Sequence, residues 1–311
     1  MPSPETFRGP HPLRAAAVLG AAALALTACI DEEGDGEALD AEAEIEADLD
    51  LDVGEVELIS DGVLQVCSDV PYPPFEYYDD EGDVVGFDID IAGGIAEVLD
   101  AELQVVESSF DGIQSGVALN AETCDLALSG MTITEEREGN MLFSDPYLDD
   151  NLGLLSAADA GIGSEEELDG VLVGVQSETT GAEYAQEQGY ELREYEDSGL
   201  LIQGLESGQV EAAIGNISIL GYQAGEDEAF EFVEEIDTGE QLGIAAQSDN
   251  DQLIDAVNEI LAEMDASGYL EEAEDRWFHE GETPEEGEDP DSDEDDEDDE
   301  DDEDETDEDD D

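Results

Sequence analysis

Short apolar runs alternate with amphipathic segments through the middle of the chain. Val63–Cys67 and Leu103–Val106 have the length and the β-branched content of buried strands. Between them, residues 86–99 repeat apolar side chains at helical spacing, and a second helix is predicted over residues 110–119. The alternation resumes after residue 171. It indicates an α/β fold built on a parallel, doubly wound sheet.

Two extended stretches interrupt this alternation. Residues 143–156 form the first, and the second lies around residues 243–246. The folded part then ends in two predicted helices, at residues 251–264 and 269–277, which Gly268 separates as a helix stop. A chain of 311 residues is long enough for two lobes joined by such crossings.

The stretch from Leu126 to Glu138 carries the most distinctive chemistry. Its apolar start ends at Ser129 and Gly130, as a buried parallel strand does, and Thr132 and Arg137 follow around a predicted helix start. Arginine can bind a carboxylate through two parallel hydrogen bonds, and open α/β sheets bind ligands at the carboxyl ends of their strands. We therefore predict a carboxylate-binding site here. The alternative is a surface arginine paired with a nearby glutamate.

The charge balance excludes one class of partner. The chain has 94 Asp and Glu residues against five Arg, and it contains no Lys. Nucleic acid binding needs Lys and Arg to displace counterions, so nucleic acid is excluded and adsorption to anionic lipid is disfavoured. The acidic excess fits a salt-adapted protein, because salt screens the repulsion between exposed charges. His279 is the only histidine after the leader. A single histidine makes a Ser-His-Asp catalytic site or a histidine-based zinc site an unfavoured interpretation.

Both ends of the chain differ from the middle. Residues 1–28 are predicted to be an export signal, and its end, Leu26–Cys29, resembles the lipobox of bacterial lipoproteins, in which the cysteine is acylated. An ordinary cleaved signal peptide is the alternative. Residues 29–55 are predicted to be an acidic disordered tether, and residues 280–311 an acidic disordered tail. The tail is interpreted as a solvated segment rather than as a divalent-cation buffer.

Four ordered motifs, together with a fifth near the end of the folded part, resemble one protein family. They are S-D-V-P-Y-P-P-F-E-Y (68–77), V-G-F-D-I-D-I-A (85–92), L-S-G-M-T-I-T-E-E-R (128–137), F-S-D-P-Y (143–147) and D-R-W-F (275–278). These are similar to the family 3 extracellular solute-binding proteins of ABC importers, which bind polar amino acids. The resemblance covers roughly residues 56–279.

The resemblance implies a two-lobed, periplasmic-binding-protein-like α/β fold. Each lobe is expected to hold a mostly parallel sheet with helices on both faces, and two hinge strands are expected to join the lobes. The first lobe would comprise residues 56–147 and 244–279, and the second residues 150–241. It further implies a monomer on the outer face of the cytoplasmic membrane that delivers its ligand to a permease, with neither cofactor nor metal.

The resemblance also implies a set of ligand-binding residues. Arg137 would grip the α-carboxylate of an amino acid, helped by Thr132 and by the backbone of Gly130, while Tyr72 and Phe110 would flank the ligand or simply pack in the core. The full set is Asp69, Tyr72, Phe110, Ser129, Gly130, Thr132, Arg137, Gln176, Thr179, Thr180 and Asn216. The exported compartment permits a disulfide between Cys67 and Cys124, and the sequence leaves their pairing open.

Two positions depart from the family pattern. Glu178 stands where glycine is common, and Asn216 stands where an aspartate usually binds the ligand ammonium. If Glu178 faces the ligand, a delocalised or displaced cation is expected, as in arginine or the cyclic solute ectoine. If it caps its own helix, which is the commoner fate of such a residue, a neutral amino acid such as glutamine is favoured.

Two other function classes compete with solute binding. Cyclohexadienyl dehydratases share the two-lobed fold, and Glu178 would be the candidate general acid of such an enzyme. The lipobox and the lack of any further catalytic constellation favour a binding protein. A sensor domain is disfavoured because no transmembrane helix or signalling domain follows the folded region.

Replacing the lipobox cysteine tests the anchor. We expect Cys29→Ser to move the protein from the membrane fraction to the soluble fraction, because acyl chains on Cys29 would provide the attachment. Ligand affinity of the released protein should match that of the wild type. A variant that stays with the membranes after a high-salt wash would contradict lipid anchoring.

Overall fold

The computed structural model describes residues 51–278 and, before them, residues 38, 39, 41, 43, 45 and 49. The predicted export signal (1–28), Cys29 and the predicted tail (280–311) lie outside the described residues. The described chain forms two sheets with helices on both faces, joined by a pair of short strands. The prediction of a two-lobed α/β fold is confirmed.

The first lobe, called lobe 1, contains the chain before the crossing and its return at the end. Its elements are β1 (Ala38–Leu39), β2 (Val63–Ser68), β3 (Tyr77–Tyr78), β4 (Val84–Val85), α1 (Phe87–Val98), β5 (Glu102–Glu107), α2 (Phe110–Gln114), α3 (Val117–Asn120), β6 (Leu126–Ala127), α4 (Glu135–Glu138), β7 (Met141–Phe143), β15 (Ala245–Gln247), α8 (Asp251–Ser267) and α9 (Tyr269–Phe278). The main sheet has the order β1-β5-β2-β6-β15-β7. Helices α1, α8 and α9 cover one of its faces, and α2 and α3 contribute to a second apolar cluster.

The second lobe, called lobe 2, holds the chain between the crossings. Its elements are β9 (Leu152–Ala157), a 3-10 helix (Glu165–Glu167), β10 (Leu172–Gln176), α5 (Thr180–Gln188), β11 (Glu191–Tyr195), α6 (Ser198–Glu206), β12 (Ala212–Asn216), α7 (Ile217–Glu226) and β13 (Phe230–Ile236). The sheet order is β11-β10-β12-β9-β13. Helix α5 packs into one apolar cluster, and α6 and α7 pack into another.

A two-stranded ladder joins the lobes. Strands β8 (Leu148–Asp149) and β14 (Gln241–Leu242) pair antiparallel, and the backbone N–H of Asp150 donates to the carbonyl of Glu240 at 3.1 Å. Because both chain crossings lie side by side here, the lobes share one hinge. The two extended stretches seen in the sequence contain or adjoin these strands.

Each sheet is mixed rather than mostly parallel. In lobe 1 the strands β5, β2 and β6 run parallel, and in lobe 2 the same holds for β11, β10 and β12. The pairs made by β15 and β9 are antiparallel, because these strands enter their sheets directly from the hinge without a helical crossover. The edge pair β1–β5 is antiparallel as well. Parallel pairing therefore holds for three consecutive strands of each sheet.

The predicted helix over residues 110–119 is in fact two short helices. Gly116 lies at φ 75°, a left-handed conformation that ends α2 and starts α3 after it. Strands β11 (E-L-R-E-Y) and β13 (F-E-F-V-E-E-I) were not predicted, because charged residues interrupt them and neither contains an apolar run longer than two residues. Among the helices that the structure describes, none has both the length and the apolar character needed to cross a membrane.

The prediction that residues 29–55 form a disordered tether is wrong for the described part of this segment. Ala38–Leu39 pair with β5, Ile45 is buried, and Leu49, Leu51 and Val53 pack against the lobe 1 core. The physical reason is a two-residue repeat: odd positions from 39 to 53 are apolar, so an extended chain presents one apolar face. Lobe 1 therefore begins before residue 56.

The structure joins Cys67 and Cys124 in a disulfide, with their Cα atoms 5.7 Å apart. Cys67 is the next-to-last residue of β2, and Cys124 lies two residues before β6. The two cysteines lie close together because β2 and β6 are neighbouring strands of the sheet. The bond closes a loop that contains both α1 and β5.

Candidate functional site

The ends of four central strands meet between the lobes. Asp69 follows β2 and Ser129 follows β6 in lobe 1, while Gln176 and Asn216 are the last residues of β10 and β12 in lobe 2. Open α/β sheets bind ligands at the carboxyl ends of their strands, because loops and helix starts gather there. The cleft between these strand ends is therefore the candidate site.

The lobes touch across this cleft. The side-chain amide of Gln176 donates to Asp69 at 3.0 Å, and the Ser198 hydroxyl donates to the Pro71 carbonyl at 3.0 Å. The Tyr72 hydroxyl donates to Asn216 Oδ1 at 3.3 Å. Hydrogen bonds between groups from both lobes show that the structure is a closed form.

Arg137 lies at the centre of the lobe contact and is 4% exposed. Its short helix α4 begins at Thr134, whose hydroxyl accepts from the Arg137 backbone. The guanidinium donates to the Thr132 carbonyl at 2.7 Å and, across the cleft, to the Glu178 carbonyl at 3.1 Å. It also lies 5.2 Å from the centre of the Phe110 ring. Burial lowers the pKa of Arg137, but an arginine stays charged nonetheless.

A carboxylate oxygen accepts hydrogen bonds from two hydroxyl groups near Arg137. Glu240 Oε2 accepts from the Thr132 hydroxyl at 3.0 Å and from the Thr180 hydroxyl at 2.7 Å, and its charge acts on Arg137. One hydroxyl comes from each lobe, and Glu240 itself comes from the hinge. The arrangement shows that this part of the cleft can bind a carboxylate oxygen.

An open cavity adjoins these hydroxyls. It has a volume of about 420 Å³ and is lined by Thr132, Thr180, Glu183, Glu187 and Glu240, among others. Three of its eleven lining residues are acidic and none is basic, so the cavity favours a cationic group over an anionic one. It offers room for the part of a ligand that extends beyond Arg137.

Further carboxyl groups are buried behind the cleft wall in lobe 1. Burial raises the pKa of Asp69 to about 7, although the hydrogen bond from Gln176 lowers it in part. Burial also raises the pKa of Glu76 and Asp88, which repel each other. Ser129 donates to Glu76, and the backbone N–H of Asp69 donates to Ser129. Burial therefore favours the protonated form of all three carboxyl groups more than solvent does.

Among the described residues, one acidic group could hold a metal ion: Asp79, Glu81 and Asp83 on the β3–β4 turn. Asp79 Oδ1 already accepts three backbone N–H groups of its own turn. These hydrogen bonds explain the arrangement as a capped turn. The turn lies outside the cleft.

Comparison with known proteins identifies the family. The sequence profile of "Bacterial extracellular solute-binding proteins, family 3" matches residues 64–280. The chain belongs to this family. The amino-acid-binding resemblance that the motifs indicated is thereby confirmed at the level of the family.

Individual relatives agree with this identification. The arginine-binding extracellular protein ArtP of Bacillus subtilis (strain 168) is 36% identical over 215 residues, which cover 67% of this chain and 82% of ArtP. The solved structure of an ancestral arginine-binding protein bound to arginine is 33% identical, with a TM-score of 0.64, covering 70% of this chain and 98% of that one. A second solved structure is the ancestral amino acid-binding protein AncCDT-1, a precursor of cyclohexadienyl dehydratase. It is 33% identical with a TM-score of 0.66, covering 70% of this chain and 96% of that one.

Most predicted site residues of this solute-binding protein gather at the cleft, but two have other roles. The N–H of Gly130 donates to the buried Asp88 at 2.8 Å, so it is not directed at a ligand carboxylate as expected. The Thr179 hydroxyl caps α5 by accepting from the Ala182 backbone. Gly130 remains necessary for space, because a Cβ there would lie 2.8 Å from the Tyr72 ring.

Glu178 follows neither alternative proposed from the sequence. Thr179, not Glu178, caps α5, and the exposed Glu178 carboxylate lies 3.5 Å from the Gln114 amide of lobe 1. Its backbone has φ 63°, which explains why glycine is common here in related sequences. Its carbonyl, rather than its carboxylate, contacts Arg137.

The sequence analysis missed Glu76, Asp150 and Glu240 as residues of the cleft region. Their residue type could not reveal them, because 94 residues of this solute-binding protein are acidic. The available signal was position: Asp150 lies in the first extended stretch, and Glu240 lies shortly before the second. Burial distinguishes Glu76 and Asp150 from the solvated carboxyl groups, whereas Glu240 is distinguished by the Thr132 and Thr180 hydroxyls that donate to it.

Replacing Glu178 by glycine should stabilise the ligand-free protein. The left-handed backbone is unfavourable for a residue with a Cβ, so we expect Glu178→Gly to raise the free energy of unfolding by about 1 kcal/mol. Glu178→Gln keeps the Cβ and is the matched control, with an expected change near zero. Chemical denaturation in high salt measures both. A stabilisation by Gln equal to that by Gly would show that charge, not backbone conformation, is the cause.

Proposed function

We propose that this solute-binding protein is a lipid-anchored receptor that captures a cationic or polar amino acid outside the cell for an ABC importer. The observation that carries the proposal is the placement of Arg137, buried between the lobes with hydroxyl groups of both lobes beside it. Anchoring rests on the lipobox at Cys29, and the importer on membership of the family.

The carboxylate end of the ligand is assigned to Arg137. Two of its five N–H donors serve backbone carbonyls, and the rest of the fork suits a carboxylate. The Thr132 and Thr180 hydroxyls supply further donors where Glu240 Oε2 now lies. A ligand carboxylate placed there would bridge the lobes and thereby favour closure.

The remainder of the ligand is proposed to be positively charged, as in arginine. The adjoining cavity is lined by Glu183, Glu187 and Glu240, and Asp69 lies in the opposite wall. The only basic residue that the structure describes at this cleft is Arg137. A ligand with one carboxylate and two cationic groups offsets this excess, whereas glutamine does so less well. The arginine-binding names of relatives support the same choice.

Binding is favoured over a dehydratase reaction. The enzyme alternative placed a general acid at Glu178, but this carboxylate is exposed and lies 3.5 Å from the Gln114 amide of lobe 1. General acid catalysis requires the acid within hydrogen-bond reach of the reacting group. AncCDT-1, the similar ancestor of a dehydratase, is itself described as an amino acid-binding protein.

Arg137→Ala is the first test of the ligand assignment. Loss of charge-assisted hydrogen bonds to a carboxylate should weaken L-arginine binding at least 100-fold, which corresponds to about 3 kcal/mol. Arg193→Ala is the control, because Arg193 is exposed on β11 and lies over the Tyr195 ring. Titration calorimetry in high salt measures both variants. Unchanged affinity in Arg137→Ala would refute the carboxylate assignment.

The affinity for L-arginine should rise with pH. Burial raises the pKa of Asp69 and of Asp150 to about 7, so both groups are mostly protonated at pH 5.5 and mostly ionised at pH 8. A cationic ligand favours the ionised form, and its binding therefore releases protons as the pKa values fall. We expect roughly two- to tenfold tighter binding at pH 7.5 than at pH 5.5. Tighter binding at the lower pH would contradict a cationic ligand at these groups.

A further inference from the structure

Asp150 is a buried carboxylate with one unused oxygen. It directly follows hinge strand β8 and is 0% exposed. Its Oδ1 accepts from the backbone N–H of Ser218 at 3.1 Å and from the Ser218 hydroxyl at 2.8 Å. Its Oδ2 has no hydrogen-bond partner in the part of the chain that the structure describes. Such an oxygen is costly to leave unpaired, so Oδ2 is available as an acceptor for a ligand group.

Asn216 connects this carboxylate to the cleft. Its side-chain Nδ2 donates to the backbone carbonyl of Asp150 at 3.3 Å. Its Oδ1 accepts from the Tyr72 hydroxyl of lobe 1 at 3.3 Å. The amide is thus fixed with its nitrogen toward Asp150 and its oxygen toward lobe 1. An amide oxygen alone carries no charge for a ligand ammonium.

The negative charge expected at position 216 is found instead on Asp150, which contacts Asn216. The sequence resemblance implies an aspartate at position 216, and this chain has asparagine there. Asp150 contacts Asn216 through its backbone carbonyl. The charge of the Asp150 carboxylate also acts on Tyr72 and Tyr147 of lobe 1, and the charge of Glu240 acts on Asp150. The Asp150 carboxylate therefore lies where the hinge meets Tyr72 and Tyr147 of lobe 1.

We propose that Asp150 is the positioning residue for the α-ammonium group of the ligand: it orients the Asn216 amide oxygen and supplies the negative charge that Asn216 lacks. This inference rests on the proposed amino-acid-binding function. The charge stands on the hinge instead of on lobe 2, and Oδ2 is the unpaired acceptor that the ammonium would engage in the closed cleft. A purely structural role is the competing explanation, since Oδ1 caps the start of α7.

The test compares ligands that differ only in the ammonium group. The probes are L-arginine with its des-amino analogue 5-guanidinopentanoate, and L-glutamine with its des-amino analogue, titrated into the full-length protein in high salt. Asp150→Asn should weaken binding of the amino acid at least tenfold and change binding of the analogue less than threefold. Asp149→Asn, the exposed neighbour in the same hinge strand, is the matched control and should change neither.

A charge swap and a cap variant separate the two explanations. Asp150→Asn combined with Asn216→Asp should restore amino acid affinity to within about threefold of the wild type, because the charge returns to the cleft at position 216. Ser218→Ala removes one hydrogen bond of the helix cap without changing charge. It should lower the melting temperature and keep the preference for the amino acid over its analogue.

Each outcome has a definite meaning. Equal losses for amino acid and analogue in Asp150→Asn, or failure of the charge swap to rescue, would overturn the role of Asp150 while wild-type binding leaves the proposed function standing. Wild-type protein that binds none of the four probes would overturn both proposals. Selective loss with rescue would establish Asp150 as the source of the charge.

Discussion

The site depends on burying one guanidinium between two lobes that are otherwise strongly acidic. Arg137 is held by the Thr132 carbonyl from its own lobe and the Glu178 carbonyl from the other. A buried charge is costly unless it is hydrogen-bonded, so the closed cleft requires these carbonyls to keep their positions. The left-handed backbone of Glu178 and the capped start of α4 are local features that provide this geometry.

The electrostatics of the cleft differ from those of the surface because of burial. The chain carries a formal net charge of −89, most of it on solvated side chains, where salt shortens the range of repulsion. Screening by salt is much weaker for Asp69, Asp88 and Asp150, and burial raises the pKa of each. A cationic ligand would complete this arrangement, since it adds positive charge to that of Arg137.

The hinge unites the carboxylate and ammonium ends of the proposed ligand site. The Glu240 carboxylate accepts hydrogen bonds from hydroxyl groups of both lobes near Arg137. The Asp150 carboxylate caps α7, the first helix after β12, and one of its oxygens has no hydrogen-bond partner among the described residues. The backbone N–H of Asp150 donates to the carbonyl of Glu240, so the two residues are held side by side in the hinge. Ligand charge and lobe closure are therefore coupled at the same place.

The sequence by itself determined the α/β fold, the two crossings and the stretch around Arg137, because these depend on local periodicity and on residue types that are rare in this chain. One Arg at a strand end is conspicuous among so few basic residues. Only the tertiary structure decided which carboxylates matter, that Thr179 rather than Glu178 caps α5, and that Gly130 donates to Asp88. It also decided that residues near Ile45 pack on lobe 1. Burial and hydrogen-bond partners are set by residues that are far apart in the chain. In so acidic a sequence, residue type alone does not distinguish the carboxyl groups that become buried from those that stay solvated.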